Sequence, residues 1–115
     1  MKYQGSCHCG KTAFEVEGQL ESVMECNCSI CRRKGTQLWF VPRSAMTLKT
    51  PEDALTVYTF NKHAIRHHFC PVCGVTPFAL GAMPDGSPMA AINARCLDDV
   101  DLGALKHNFY NGKDS

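Results

Sequence analysis

Short segments rich in β-branched, aromatic and alternating apolar residues recur along the chain and predict β-strands. Pro84, Gly86 and Pro88 favour a turn over residues 84–88, because proline and glycine set special backbone angles. Short helical turns are predicted at 29–34 and near 98–105. Many short strands joined by turns indicate a mainly β fold of curled antiparallel sheets with few short helices. The predicted strands cover residues 12–16, 37–41, 55–60, 65–69, 76–80 and 89–93.

Length and charge narrow the class of protein. The chain has 115 residues, of which 44% are hydrophobic and 20% are charged. This length, without a recognisable linker or repeat, predicts one domain over residues 1–115. The formal net charge of +1 favours neither nucleic acid nor a membrane as partner, since both need a clear basic excess. The N-terminus lacks the apolar segment of a secretory signal, so we expect a cytoplasmic protein.

Cysteine is the unusual residue type in this composition. Eight cysteines in so short a chain indicate either a disulfide scaffold or a metal protein. Reducing cytosol argues against structural disulfides. Only one residue separates Cys7 from Cys9 and Cys26 from Cys28, and a disulfide across so short a ring is strained. The spacing therefore favours metal binding, most naturally zinc, which prefers thiolate ligands.

The cysteines form three clusters and leave one residue over. A C-x-C pair and a C-x-x-C pair supply four thiolates, enough for a closed structural zinc site. A C-x-C-x-x-C cluster supplies three, which is the pattern of a zinc site with one open position. Counting does not fix the pairing, because Cys96, His8, His67 or His68 could complete the second site. The pairs are Cys7 with Cys9 and Cys70 with Cys73, and the cluster of three is Cys26, Cys28 and Cys31.

A run of three cations, Arg32, Arg33 and Lys34, follows the cluster of three cysteines directly. These cations could offset the negative charge of a thiolate–zinc site and keep its thiols ionised. They could also attract an anionic ligand. The plainer interpretation is a solvated basic turn, because charge runs usually face solvent.

The remaining candidates have structural interpretations that we favour. His8 lies between two cysteines, so its side chain is expected to point away from a metal held there. His67 and His68 are expected to be structural or surface residues, with one of them facing a cleft as the alternative. Cys96 is expected to be a small buried apolar residue. The aromatic residues expected in the core rather than in a cleft wall are Trp39, Phe40, Tyr58 and Phe60.

Several motifs together resemble the glutathione-dependent formaldehyde-activating enzymes, a family that includes centromere protein V. The motifs are G-S-C-H-C-G-K-T-A-F-E-V, C-N-C-S-I-C-R-R-K-G, V-P-R-S, F-C-P-V-C-G and N-A-R-C-L-D-D. Their order and spacing resemble the family from about Tyr3 to Leu102. Three ordered cysteine motifs make the resemblance specific, which a lone C-x-x-C would not.

The resemblance implies a fold, two metals and a reaction. The fold is an Mss4-like β-tent of several coiled sheets, stabilised by zinc. A structural zinc is implied at Cys7, Cys9, Cys70 and Cys73, and a second zinc at Cys26, Cys28 and Cys31. The implied reaction joins glutathione and formaldehyde to S-hydroxymethylglutathione and is classed as a carbon–sulfur lyase in reverse.

Two departures from the family pattern leave the substrate open. Val75 stands where threonine is common, and Asn27 stands where histidine is common. We expect a lyase that uses a small thiol such as glutathione, with Arg32, Arg33 and Lys34 as contacts of that thiol. The alternatives are a lyase of another small thiol adduct, a non-catalytic zinc-binding module and a metal-buffering protein. A homodimer is also left open.

Overall fold

The fold is seen in a computed structural model, which describes residues 1–60 and 63–114. The described residues form ten strands and one α-helix, α1 (Cys31–Lys34). The strands are β1 (Lys2–Ser6), β2 (Ala13–Glu17), β3 (Ser22–Cys26), β4 (Leu38–Pro42), β5 (Met46–Leu48), β6 (Thr56–Tyr58), β7 (Arg66–Phe69), β8 (Phe78–Ala82), β9 (Pro88–Asn93) and β10 (Lys106–Tyr110). Short 3-10 turns lie at Arg43–Ala45, Glu52–Ala54, Ala94–Cys96, Leu102–Ala104 and Gly112–Asp114.

The strands form two sheets. The smaller sheet has the order β1-β2-β5, and the larger has the order β10-β3-β4-β9-β8-β7-β6. All pairs are antiparallel except β10 with β3, which run parallel from Lys106 opposite Ser22 to Tyr110 opposite Cys26. The mainly β fold with few short helices is thus confirmed, and the parallel pair is a departure from purely antiparallel sheets.

The main core lies where the smaller sheet packs against one face of the larger sheet. Phe14 and Val16 of β2 are fully buried, while Glu15 and Glu17 alternate with them on the outside. The Phe14 ring meets the Phe78 ring edge to face at 6.0 Å. A methyl group added at Gly5 would lie only 2.5 Å from the Phe14 ring, so glycine is required there for close packing.

Each of the six predicted strands overlaps an observed strand, and the predicted turn over 84–88 lies between β8 and β9, with Pro88 as the first residue of β9. Sequence reasoning missed β1, β3, β5 and β10. The predicted helical turn at 29–34 contains α1, which ends at Gly35 in a left-handed conformation with φ of 69°. The stretch near 98–105 contains only the 3-10 turn Leu102–Ala104. In the described part of the chain, no helix has the length and apolar character needed to cross a membrane.

Candidate metal centres and ligand cavity

Two tight turns from distant parts of the chain bring four cysteines together. Cys7 and Cys9 lie in the turn between β1 and β2, where the Cys7 N–H donates to the Thr12 carbonyl oxygen at 3.1 Å. Cys70 and Cys73 lie in the turn after β7, where the Gly74 N–H donates to the Cys70 carbonyl oxygen at 2.8 Å. We call these four residues the closed cysteine group.

The sulfur atoms of the closed group lie close enough together to hold one metal ion. All four lie within 4.8 Å of one another. The Cys9 sulfur is 3.6 Å from both the Cys7 and the Cys70 sulfur. A disulfide would need about 2.05 Å, whereas a tetrahedron with zinc–sulfur bonds of about 2.3 Å has edges of about 3.8 Å. The donor set therefore fits a tetrahedral zinc ion.

Backbone amides donate to sulfur atoms of the closed group, although at Cys9 a backbone hydrogen bond at Lys11 is outweighed by desolvation and the neighbouring thiols, which raise the pKa to about 11. The Thr12 N–H donates to the Cys7 sulfur at 3.4 Å. Hydrogen bonds from the backbone of Val75, and then of Cys9, lower the pKa of Cys73 to about 6. Gly74 has a φ of +80°, a conformation that glycine adopts without strain and that shapes the knuckle turn. Thiolates rather than thiols bind metals, so this environment suits a metal centre.

The second group consists of Cys26, Cys28 and Cys31, which we call the open cysteine group. Cys26 ends β3 and Cys31 begins α1, so the group forms within a single short loop. The three sulfur atoms lie within 4.8 Å of one another, and the Cys28 N–H donates to the Cys26 sulfur at 3.4 Å. Burial raises the pKa of Cys31 to about 12, with the neighbouring Cys28 adding to the effect. A bound cation would reverse that shift, since coordinating thiols are deprotonated.

None of the residues considered as a fourth ligand joins the open group in the described part of the chain. His8 is exposed between Cys7 and Cys9. The Cys96 sulfur donates to the Thr76 carbonyl oxygen at 3.7 Å, and burial raises its pKa to about 11. Three thiols remain, which fits a metal ion that keeps one position for an exchangeable ligand.

The open group lines an apolar cavity of about 470 Å³. All three cysteines take part in its wall, together with Lys34 of α1. The C-terminal segment closes one side, where a methyl group added at Gly112 would lie 2.5 Å from the Cys26 sulfur. The apolar side chains in the wall are Met24, Ile30, Leu38, Phe40, Phe60, Ile65, Phe78, Ala79, Met89 and Ala91.

Strand register places His67 in this cavity. Along one row of the larger sheet Phe40 lies opposite Ala91, Ala91 opposite Ala79, and Ala79 opposite His67. Directly opposed residues share a sheet face, so the two alanines form a floor between Phe40 and His67. The His67 ring stacks on Phe60 at 5.6 Å. Burial, followed by the charge of Lys34, lowers the pKa of His67.

His68 points to the opposite face and belongs to the core. Its side chain is fully buried, and its ring lies 4.9 Å from the Phe78 ring. Its Nδ1 is 3.0 Å from the Arg66 carbonyl oxygen, and burial lowers its pKa. Of the two adjacent histidines, only His67 is therefore available to a ligand in the cavity.

A second cavity, of about 620 Å³, adjoins the first and carries the cations. Both cavities are lined by Lys34, Thr36 and Asn93. Arg33 and Arg95 line only the second, and the Arg33 Nη1 donates to the Ser29 carbonyl oxygen at 2.7 Å. Of the three cations considered from the sequence, Arg32 lies outside both cavity walls. Sequence reasoning did not single out Arg95, which lies far along the chain.

Three of the four aromatic residues expected in the core are not there. Trp39 is buried, and its ring meets the Tyr3 ring edge to face at 5.4 Å. Phe40 is 39% exposed and Tyr58 is 50% exposed. Phe60 is half-buried in the cavity wall. The expectation is wrong for Phe40 and Tyr58 because β4 and β6 present alternate residues to two faces, and only one face meets the smaller sheet. Phe60 lies beyond the end of β6.

Asn27 ties the C-terminal segment to the loop of the open group. Its side-chain Nδ2 donates to the Asn111 Oδ1 at 2.9 Å, and its Oδ1 accepts from the Lys113 N–H at 3.0 Å. Its own N–H donates to the Tyr110 carbonyl oxygen at 3.2 Å. Asn27 therefore holds this C-terminal segment, the cover of the open group, in place.

Comparison with known proteins agrees with this arrangement. The family model described as "Glutathione-dependent formaldehyde-activating enzyme" matches residues 2–112. The chain belongs to this family. The matched range of the formaldehyde-activating family includes both cysteine groups and both cavities. A crystal structure of a Rhodobacter sphaeroides protein is similar in fold, with a TM-score of 0.77 and 28% identity, covering 94% of this chain and 100% of that chain.

Proposed function

We propose that this chain is a zinc-dependent carbon–sulfur lyase that joins a small anionic thiol such as glutathione to an aldehyde and cleaves the same adduct. The observation that carries the proposal is the position of the open group, whose three thiols line an apolar cavity that adjoins a cationic one. Membership of the formaldehyde-activating family supports the same reaction.

The two cysteine groups would hold two zinc ions with different tasks. The closed group supplies four thiolates and leaves no position for a ligand, so its metal is structural. The open group supplies three, and the ion held there would lower the pKa of an incoming thiol or polarise the aldehyde oxygen. We place the protein in a reducing compartment such as the cytoplasm, where cysteines stay available to bind metal.

The cations orient the thiol substrate. Glutathione carries two carboxylates, which need positively charged donors when they leave water. Lys34 stands at the junction of the two cavities, with Arg33 and Arg95 on the cationic side. Carboxylates held there would direct the thiol end of the substrate towards the open group.

The reaction needs one net proton transfer, which we assign to His67 because it lines the same cavity as the open group. A sulfur–carbon bond forms as the carbonyl π bond breaks, and the proton that leaves sulfur ends on the new hydroxyl oxygen. Burial and then Lys34 lower the pKa of His67, which keeps the imidazole neutral and able to accept a proton near pH 7.

The proposal is tested by exchange NMR on glutathione and formaldehyde with zinc-loaded protein. Wild type should accelerate interconversion of the free and hydroxymethylated thiol. Cys28→Ser should remove one zinc per chain and return the rate to that without protein. Lys34→Gln should raise KM for glutathione about tenfold, because a charge-assisted hydrogen bond is lost.

The matched control is Lys106→Gln, which removes a cation from the exposed strand β10 and should keep the wild-type KM. No acceleration by fully zinc-loaded wild type would reject the lyase and favour a non-catalytic zinc-binding module. Acceleration that survives Cys28→Ser would separate the reaction from the open group.

A further inference from the structure

The cavity beside the open group is much larger than formaldehyde requires. Its volume is about 470 Å³, whereas one water molecule takes about 30 Å³ of liquid volume. Formaldehyde has only two non-hydrogen atoms. If the electrophile were always formaldehyde, the space not filled by the thiol end of the other substrate would be left to water against an apolar wall.

Two alanines in the middle of the larger sheet create the space. Ala79 of β8 lies opposite Ala91 of β9, and Ala91 lies opposite Phe40 of β4. Both alanines line the cavity. A longer side chain at either position would occupy the floor, so the depth of the cavity is a property of these two residues.

Large apolar side chains at the cavity remain in contact with solvent. Phe40 is 39% exposed and Ile65 is 47% exposed, and both belong to the wall. Exposed apolar area of this kind is favourable to cover, at about three- to fourfold in affinity for each methylene buried. The wall therefore selects a ligand with an apolar group.

The distribution of cations between the two cavities determines how a ligand is oriented. The cations Arg33 and Arg95 line only the adjoining cavity, while Lys34 stands between the two cavities. A ligand that fits both is anionic at one end and apolar at the other, with its reacting atoms near the three thiols of the open group.

We propose that the adducts handled at this site join an anionic thiol to an aldehyde bearing an apolar group of about five to ten non-hydrogen atoms, a size that the cavity holds when each atom takes about the volume of one water. This inference rests on the proposed lyase function and names its electrophile. The step is thiol addition to the carbonyl: the sulfur–carbon bond forms, the carbonyl π bond breaks, and the thiol proton moves to oxygen. No oxidant or reductant is needed.

The binding test uses unreactive thioethers that mimic the adduct. Isothermal titration of zinc-loaded protein should show S-hexylglutathione binding at least about tenfold more tightly than S-methylglutathione, because several further methylenes are buried. Ala91→Leu should bring the two affinities together by filling the floor. Ala82→Leu is the matched control, since Ala82 is exposed on β8 outside the cavity, and it should keep the wild-type ratio.

The catalytic test compares hexanal with formaldehyde in the exchange assay with glutathione. Wild type should accelerate the hexanal reaction, relative to the rate without protein, by about tenfold more than the formaldehyde reaction. This measurement needs only wild-type protein, so it tests the preference for an apolar aldehyde even if Ala91→Leu fails to fold.

The outcomes separate this inference from the proposed function. Equal affinities for the two thioethers, or acceleration with formaldehyde alone, would overturn the inference and leave the lyase standing. Tighter binding of S-hexylglutathione with no acceleration of any aldehyde reaction would reject the lyase function. It would also reject the proposal that the adduct is the ligand. A dimer in solution that dissociates on Ala91→Leu would assign the cavity to an interface between copies and overturn the inference.

Discussion

The two cysteine groups differ in how the chain builds them. The closed group joins turns that are far apart in sequence, since Cys9 and Cys70 are separated by 61 positions. The open group lies within one loop, from Cys26 at the end of β3 to Cys31 at the start of α1. One group has four thiols and the other has three.

This difference assigns them different physical tasks. A link between distant positions removes more freedom from the unfolded chain than a link within a short loop. The closed group also connects the smaller sheet, through the β1–β2 turn, to the end of β7 in the larger sheet. The open group makes no such connection but lines the ligand cavity. We therefore expect the first to support stability and the second to support binding.

The largest effect is expected from Cys73→Ser in the closed group. Structural zinc sites contribute about 10–16 kcal/mol of apparent binding free energy, as much as the whole stability of about 5–15 kcal/mol of an ordinary domain. The variant should lose its cooperative urea transition, measured by circular dichroism. Cys28→Ser should keep such a transition with a modestly lower midpoint.

Cys96→Ser is the control for cysteine loss as such, because Cys96 lies outside both groups and a serine hydroxyl can still donate to the Thr76 carbonyl oxygen. It should retain a cooperative transition. Equal midpoints for Cys73→Ser and Cys28→Ser would remove the distinction between the two groups.

Local patterns in the sequence accounted for more of the fold than of the cavity. Strands with buried alternate residues, such as β2, are visible because the alternation has a direct physical cause. The edge strand β10 was missed because it has no buried face and therefore no alternation of apolar and polar residues that would indicate a strand. Phe109 is 81% exposed, and β10 pairs on one side only.

The two pairs and the cluster of three cysteines were open to spacing arguments, since thiols one or two residues apart can converge on one ion. The joining of the two pairs into one site followed only from the family resemblance, and spacing gave no indication of the floor of Ala79 and Ala91 or of the cation Arg95. Which residues lie opposite one another depends on strand register, and the register of β8 against β9 is set by the whole sheet. Without that register, alanines in a predicted strand are interpreted only as core residues.

A smaller effect is expected at the cover of the open group. Asn27→Ala removes two side-chain hydrogen bonds, to Asn111 and from Lys113. Each is worth about 0.5–1.5 kcal/mol, so the C-terminal segment should open more often without unfolding the protein. Hydrogen exchange at the Lys113 amide should speed up by about tenfold.

Asn108→Ala, in the exposed middle of β10, is the control and should leave exchange at the Lys113 amide unchanged. Unchanged exchange at that amide in Asn27→Ala would mean that other contacts hold the segment. This measurement therefore tests whether the access of ligands to the open group is adjustable.

The smallest effect is a change in the titration of His67. Burial and then the charge of Lys34 lower its pKa, so Lys34→Gln should raise that pKa while burial keeps it below the ordinary value of about 6.5. Near pH 6 the unfolded chain binds more protons at His67 than the folded protein, so stability falls as the pH drops, and Lys34→Gln lessens that fall. NMR titration of the His67 ring measures the shift, with Lys106→Gln as the control. Glutathione bound with a carboxylate at Lys34 should raise the same pKa in wild type, and an unchanged titration in both experiments would separate His67 from the thiol's binding site.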